Sequence, residues 1–429
     1  MRQAEIHCEL MVIGSGVAGM AAALFAAKRK ISTVQAGLTG EINFASGLVD
    51  LLAVHKTGSK KIASDPKHAV KALIKANPEH PYARVSWEEI AGALETYFDF
   101  MGDAGLPYHH RDQKNHRIPT AAGTMKTTYG VPESMVNGAV AFEKGKKCLI
   151  VDIEGLKGFS ARQMVENLKP SWPQLSHAGI KFPGTKGEAY LEQMARTLEI
   201  SENRKHLAAV LNPLIKGHTH VGLPPVLGIY RIQEIQSELE QILGVKLFEI
   251  PTMPPSVTGI RIRERFERKL PELGVKTFYQ KRVHTATKGI NGGFQFRIGS
   301  ETPEVTVLSE AVILATGRFL GKGLAADRNI IKETVFNLPV LQPGKREAWH
   351  DKLFLSHEGH AINRAGLETD RNLRPIGRDR RPVNDMLFAV GSLLAHNDWT
   401  RLKCGSGVAI ATAYKAVEAF QHLRHGAGP

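Results

Sequence analysis

Apolar positions in this chain fall into two kinds of segment. Short uninterrupted runs of β-branched and other apolar residues alternate with longer stretches of helical character, and that alternation predicts an α/β fold. Cys8–Ile13 is a run suited to a strand buried on both faces. A glycine turn follows, and then Met20–Lys28, which is alanine-rich and helix-favouring. Ile31–Val34 predicts the next strand. Far along the chain, Ala311–Ala315 predicts another strand, ending at Thr316-Gly317. Asn384–Val390 ends likewise at Gly391, and the glycine turn Gly405-Ser406-Gly407 then opens a helix through Val408 towards Tyr414. Between these ends lie helical patches at Trp87–Phe100 and Tyr230–Leu243, a strand-like run at Lys147–Asp152 and a helix near Ser160–Leu168. No internal repeat is evident.

At 429 residues the chain is too long for one core. The pattern predicts a Rossmann-like domain of the FAD/NAD(P)-binding type, discontinuous in sequence, with an inserted α/β or α+β domain. Its expected segments are 1–55, a return segment at 255–345, and the C-terminal strand and helix at 381–429. Residues 56–254 are then an inserted substrate or partner domain, and 346–380 a cap-like segment.

The turn after the first strand reads Gly14-Ser15-Gly16-Val17-Ala18-Gly19. Gly14 permits the tight turn, Gly16 lets the backbone approach a pyrophosphate, and Gly19 lets the helix pack on the strand. The free N–H groups at the helix start then face the anion. A ribose-binding acid is expected some twenty residues on, but that place reads Val34-Gln35-Ala36-Gly37. Gln35 can hydrogen-bond a ribose but is not a carboxylate, which leaves room for FMN beside FAD. Thr316 and Gly317 return the chain beside the nucleotide. Gly391 and the helix start at Gly405, Ser406, Gly407 and Val408 are placed to meet the flavin, where the helix dipole favours negative charge. Ser46 and Gly47 follow the second strand, where the chain can line the flavin.

Composition narrows this reading only a little. Hydrophobic residues make up 42% and charged residues 23%, an ordinary globular balance. The net charge of +14 suits an acidic partner, an anionic surface or an acidic substrate. It comes without an interleaved aromatic stripe or RNA-binding signature, so no nucleic-acid partner is expected. Cys8, Cys148 and Cys404 form no C-x-x-C pair, which argues against an iron–sulfur or zinc site on this chain and for a reducing cytoplasm. Leu10–Ala27 is as long and apolar as a membrane span, yet it carries the glycine fingerprint and follows acidic Glu5 and Glu9. It predicts neither a transmembrane helix nor a signal peptide.

Several segments together resemble the B subunits of the anaerobic sn-glycerol-3-phosphate dehydrogenases. They are Ile13–Gly19, Phe44–Leu52, His80–Tyr82, Pro251–Arg261, Gly321–Asn329 and Asn372–Pro375, spread over most of the chain. The Pro-Thr-Met-Pro-Pro-Ser-Val stretch is the specific part, since the glycine fingerprint belongs to a whole superfamily. The resemblance implies a flavin-binding chain, usually with FMN. Its implied partners are a catalytic A subunit that contains FAD, together with an iron–sulfur C subunit that serves as membrane anchor. That complex oxidises sn-glycerol 3-phosphate to dihydroxyacetone phosphate and passes electrons to quinone in anaerobic respiration. The C subunit holds it to the inner face of the membrane, so membrane contact by this chain runs only through the partner. Oxidising a phosphorylated secondary alcohol needs a base and cations. The expected catalytic residues are His357, His360, Arg374 and Arg318, with Arg261 and Arg328 as further phosphate candidates. Two alternatives stand beside this: a flavin dehydrogenase or reductase for another hydroxy acid, and a non-catalytic electron relay or scaffold within a larger complex.

Overall fold

A computed structural model describes residues 4–38, 41–57, 59–110, 114–184, 188–289, 292–356 and 358–426. The chain divides into two compact units: residues 1–42, 50–97 and 266–429 form the first, and 43–49 with 98–265 the second.

The first unit is built on a sheet of seven strands. They are β1 (Ala4–Ile13), β2 (Thr33–Gly37), β3 (Lys276–Tyr279), β4 (Arg282–Lys288), β5 (Phe294–Gly299), β6 (Val305–Leu314) and β7 (Leu387–Ala389). Their order is β3-β2-β1-β6-β5-β4, with β7 also paired to β6. β3, β2, β1, β6 and β7 run parallel, while β5 is antiparallel to both its neighbours, β6 and β4. Helix α1 (Val17–Lys28) follows β1, and helix α2 (Gly405–Gly426) packs along it.

This arrangement explains the membrane-like stretch at Leu10–Ala27. Leu10, Met11 and Val12 lie in the central strand and are wholly buried, as are Met20 to Ala26 in α1. A central parallel strand and the helix over it have no solvent face to make polar. Among the described residues no helix is long and apolar enough to cross a membrane.

The second unit has an all-parallel four-stranded sheet in the order Leu175–Ile180, Cys148–Ile153, His220–Leu223, Lys246–Glu249. The expected insertion is therefore α/β. One core cluster joins Cys148 and Ile150 of the sheet to Met164, Val165 and Leu168 of the helix Ala161–Leu168. Ser160 caps that helix by accepting from Gln163 N.

The boundaries differ from the expected insertion at 56–254. Residues 50–97 belong to the first unit, because hydrogen bonds tie them to the start of α2. Asp50 N donates to Ser406 Oγ at 2.7 Å, Gly407 N donates to Asp50 O at 2.9 Å, and Tyr82 Oη donates to Leu51 O at 2.6 Å. The segment 346–380 also lies in the first unit.

Candidate phosphate-binding site of the first unit

The glycine turn leaves β1 at its carboxyl end and enters α1. Gly14 has φ +128°, and a Cβ there would strike the carbonyl of Ala315, the residue that follows β6. A Cβ on Gly19 would strike the Gly14 carbonyl, so Gly19 is what lets α1 sit tight on the turn. Gly16 differs: a Cβ built on it meets nothing within 4 Å. Gly16 is also the N-cap of α1 and offers no side-chain acceptor to the helix's first N–H groups. A helix start with unspent donors beside open space is an anion seat. Ser15 Oγ donates to Leu38 O at 2.6 Å and holds the turn against the end of β2.

Ala315 packs against the same turn, and Thr316 and Gly317 follow it towards Gly321 and Gly323. Thr316 Oγ1 is buried and has no hydrogen-bond partner among the described residues, so a polar group of a ligand would satisfy it. Gly317 has φ +68° and allows the sharp exit. Gly391, at φ +72°, abuts Ala18 of α1, and its N–H donates to Thr412 Oγ1 of α2 at 2.9 Å. The first unit thus brings together Gly14, Ser15, Gly16, Val17, Ala18, Gly19, Thr316 and Gly317, with Gly391 and Val408 nearby through the packing of α1 on α2. These residues fit the phosphate end of a flavin nucleotide.

The start of α2 is partly covered by its own chain, because Ser406 Oγ and Gly407 N are both bonded to Asp50. A Cβ on Gly407 would collide with the Tyr82 hydroxyl. Tyr82 and His80 are fully buried here. His80 Nδ1 accepts from Tyr82 N at 3.2 Å, and burial pushes the imidazole pKa down to about 4. Cys404, also buried, has its thiol pushed well up, first by desolvation and then by the charges of Asp50 and Asp398. The motifs Phe44–Leu52 and His80–Tyr82 were visible in the sequence, but nothing in them indicated that Asp50, Leu51 and Tyr82 close over this helix.

Several expected site residues serve the fold instead. Gln35 is wholly buried; its Nε2 donates to Gly14 O at 3.0 Å and lies 3.7 Å from Met20 Sδ, so it braces the turn, while its Oε1 has no hydrogen-bond partner among the described residues. The strand end where an acid is expected is Gly37. A Cβ there would stand 2.7 Å from Ser15 N and 2.9 Å from Gly14 Cα, so the turn occupies the space a carboxylate would need. Arg318 is buried and donates to the main-chain carbonyls of Asn363, Leu394 and Asn397. Arg374 pairs with Asp370 through Nε and Nη2 at 2.8 Å each, and also with Asp385. His360 is no free base: Nδ1 accepts from Asp351 N and Nε2 meets Phe354 O, both at 3.0 Å. His357 lies outside the described residues. Arg328 sits exposed on the turn between the strands Leu324–Ala326 and Ile331–Glu333.

In the second unit, Ser46 Oγ accepts from Leu48 N at 3.4 Å. Gly47 has φ +83°, and its carbonyl accepts from Tyr108 Oη at 2.6 Å. Arg261 is buried with Glu249 in a forked pair, Nη1 to Oε2 at 2.6 Å and Nη2 to Oε1 at 2.8 Å. Its remaining donors bond to Gly228 O, so it is a structural cation.

Residues 9–408 match the FAD binding domain family. Among curated proteins, the chain is 30% identical to the B subunit of the anaerobic glycerol-3-phosphate dehydrogenase of Vibrio cholerae, over 96% of both chains. It is 28% identical to the Aliivibrio fischeri protein of the same name, over 97% of this chain and 95% of that one. A Halobacterium salinarum protein, named as a probable B subunit of the same dehydrogenase, is 29% identical, over 98% and 99%. With an anion seat at the first βα turn, a strand returning at Thr316 and these full-length matches, the chain belongs to the FAD-binding domain family, in the group of anaerobic glycerol-3-phosphate dehydrogenase B subunits.

Proposed function

We propose that this chain is the flavin-binding B subunit of a complex that oxidises sn-glycerol 3-phosphate to dihydroxyacetone phosphate and sends the electrons towards quinone. The supporting observation is the open, uncapped helix start at Gly16, in a chain matching named B subunits over 96% of its length. The flavin, when bound, supplies the hydride acceptor. The chain's own part is to hold its phosphate at the N-terminus of α1 through main-chain donors of Gly16, Val17 and Ala18. Gly391, Gly405, Ser406 and Val408 bring α2 alongside. The preferred cofactor is FMN. Gly37 stands where a ribose acid would be, which removes the usual carboxylate hold on an adenosine ribose. The partners are a catalytic A subunit containing FAD, and an iron–sulfur C subunit, the latter fixing the complex to the inner face of the membrane.

A second reading is favoured by one observation. Arg318, Arg374 and His360, the described residues among those expected to be catalytic, all have polar atoms engaged within the fold. This supports a chain that relays electrons while the A subunit meets the substrate. One preparation tests both readings. Acid release of the chromophore should yield FMN, and the complex should reduce a dye with glycerol 3-phosphate but not with other hydroxy acids. A protein that never retains flavin, alone or in the complex, refutes the proposal. Turnover by the isolated chain refutes the relay.

A further inference from the structure

Six of the large apolar side chains that the first unit leaves in water fall between residues 319 and 355. Phe319, Leu320, Ile330, Leu353, Phe354 and Leu355 are all exposed, and the last three, consecutive in sequence, are 69%, 88% and 83% exposed. Such a tip is normally covered by something.

The tip is held in place from beneath. Asp351 Oδ1 accepts from Leu353 N at 2.9 Å, and Ser356 N donates to Leu353 O at 3.0 Å. On the other side, His360 Nδ1 accepts from Asp351 N at 3.0 Å, which leaves the proton on Nε2 to donate to Phe354 O at 3.0 Å. Arg401 Nη1 donates to Ser356 O at 2.7 Å. Every one of these bonds fixes main chain, and none covers the three side chains. An ordered turn that presents an aromatic between two leucines has the form of an interface anchor, with little ordering entropy left to lose on binding.

Its surroundings indicate the partner. Lys352 adjoins the tip and Lys345 precedes it in sequence, while Lys322 and Arg328 lie before and on the hairpin Leu324–Glu333, which Arg346 ties to the segment leading into the tip through Asp327 O, at 2.9 Å. None of these four cations makes an ion pair among the described residues. They suit carboxylates on the rim of an apolar pocket. A bilayer fits less well. The three side chains carry about as many carbons as one myristoyl group, which alone binds membranes only marginally.

We propose that Leu353-Phe354-Leu355 is the plug by which this chain docks into an acid-rimmed apolar pocket on another protein of its complex, a proposal that rests on the complex reading above. The test uses chymotrypsin, which cuts after Leu and Phe, on the isolated chain and on the complex purified through a tag on this chain. Cleavage at 353–355 should be rapid in the isolated chain and slowed by about ten-fold or more in the complex. A Phe354→Ser, Leu355→Ser chain should keep its flavin and melting temperature yet lose about ten-fold or more in affinity for the partner, read by light scattering on dilution. A complex that forms with the tip cut as fast as before refutes the plug and leaves the complex standing. Protection that appears only with phosphatidylcholine–phosphatidylglycerol vesicles assigns the tip to the bilayer and refutes the plug. A chain that purifies alone under every condition refutes the complex and the plug together.

Discussion

Replacing Arg261 with alanine separates two roles that its position in a family-like segment leaves open. If it held a substrate phosphate, the variant would fold normally and bind substrate poorly. In the structure, its guanidinium forks onto Glu249, which is wholly buried and also accepts from Leu227 N at 2.8 Å and Ser134 Oγ at 2.7 Å. Removing the arginine leaves Glu249 and the Gly228 carbonyl without their partner in a dry interior. Breaking one side of such a pair costs about 3–5 kcal/mol. For a unit of this size each kcal/mol shifts the melting temperature by roughly 2–4 °C, so the second unit should melt roughly 6–20 °C lower. Calorimetry on the flavin-loaded protein measures this directly, with the first unit's transition as internal reference. Pairing Arg261→Met with Glu249→Leu should recover most of the loss, because apolar replacement of a whole buried pair is often near neutral. A melting temperature within about 1 °C of wild type, with a raised KM for substrate, would refute the structural role.

Three further outcomes follow from the same geometry. Gly37→Ala forces a Cβ to within 2.7 Å of Ser15 N, so it should cost about 1–3 kcal/mol and lower the flavin-to-protein ratio; full occupancy would mean that the turn can move aside freely. The buried His80 has a pKa lowered from 6.5 to about 4, so the unfolded chain takes up the proton first. Its contribution is complete above pH 6.5 and is lost as pH falls towards 4, amounting to about 3 kcal/mol across that window; His80→Asn should flatten urea-measured stability over that range, and an unchanged slope would refute the assignment. Arg374→Gln should cost about 1–2 kcal/mol by releasing Asp370 and leave KM for glycerol 3-phosphate unchanged, whereas a large KM effect with intact stability would return Arg374 to the substrate.

The parts of the fold legible in the sequence were those where sterics permit few residues. Gly14 and Gly19 face carbonyls that tolerate no Cβ, so the turn left its trace as glycine. The central strand and α1 have no wet face, so they read as one apolar run. The charged candidates were not legible, because an arginine's partner is set by what the chain brings to it. Arg318 meets carbonyls from residues 363, 394 and 397, and Arg261 meets a glutamate at the end of a separate strand. At the strand end where a ribose acid is expected, Gly37 leaves no space for a side chain, a close approach to Ser15 and Gly14 that the sequence alone does not display. The placement of 50–97 depended on backbone bonds at Asp50 and Leu51, which no periodicity records.

The pairing of β1 with β6 bears on the order of events during synthesis. Ala4 lies beside Val305 and Ile13 beside Leu314, so the strand that carries the phosphate turn stays without its inner neighbour until some three hundred residues have left the ribosome. The second unit, complete at residue 265, can fold while its host sheet is still open. Cofactor loading is then one of the last steps in making this protein. A chain truncated after residue 300 should fold its second unit and retain no flavin, and flavin bound to that truncated chain would refute this order.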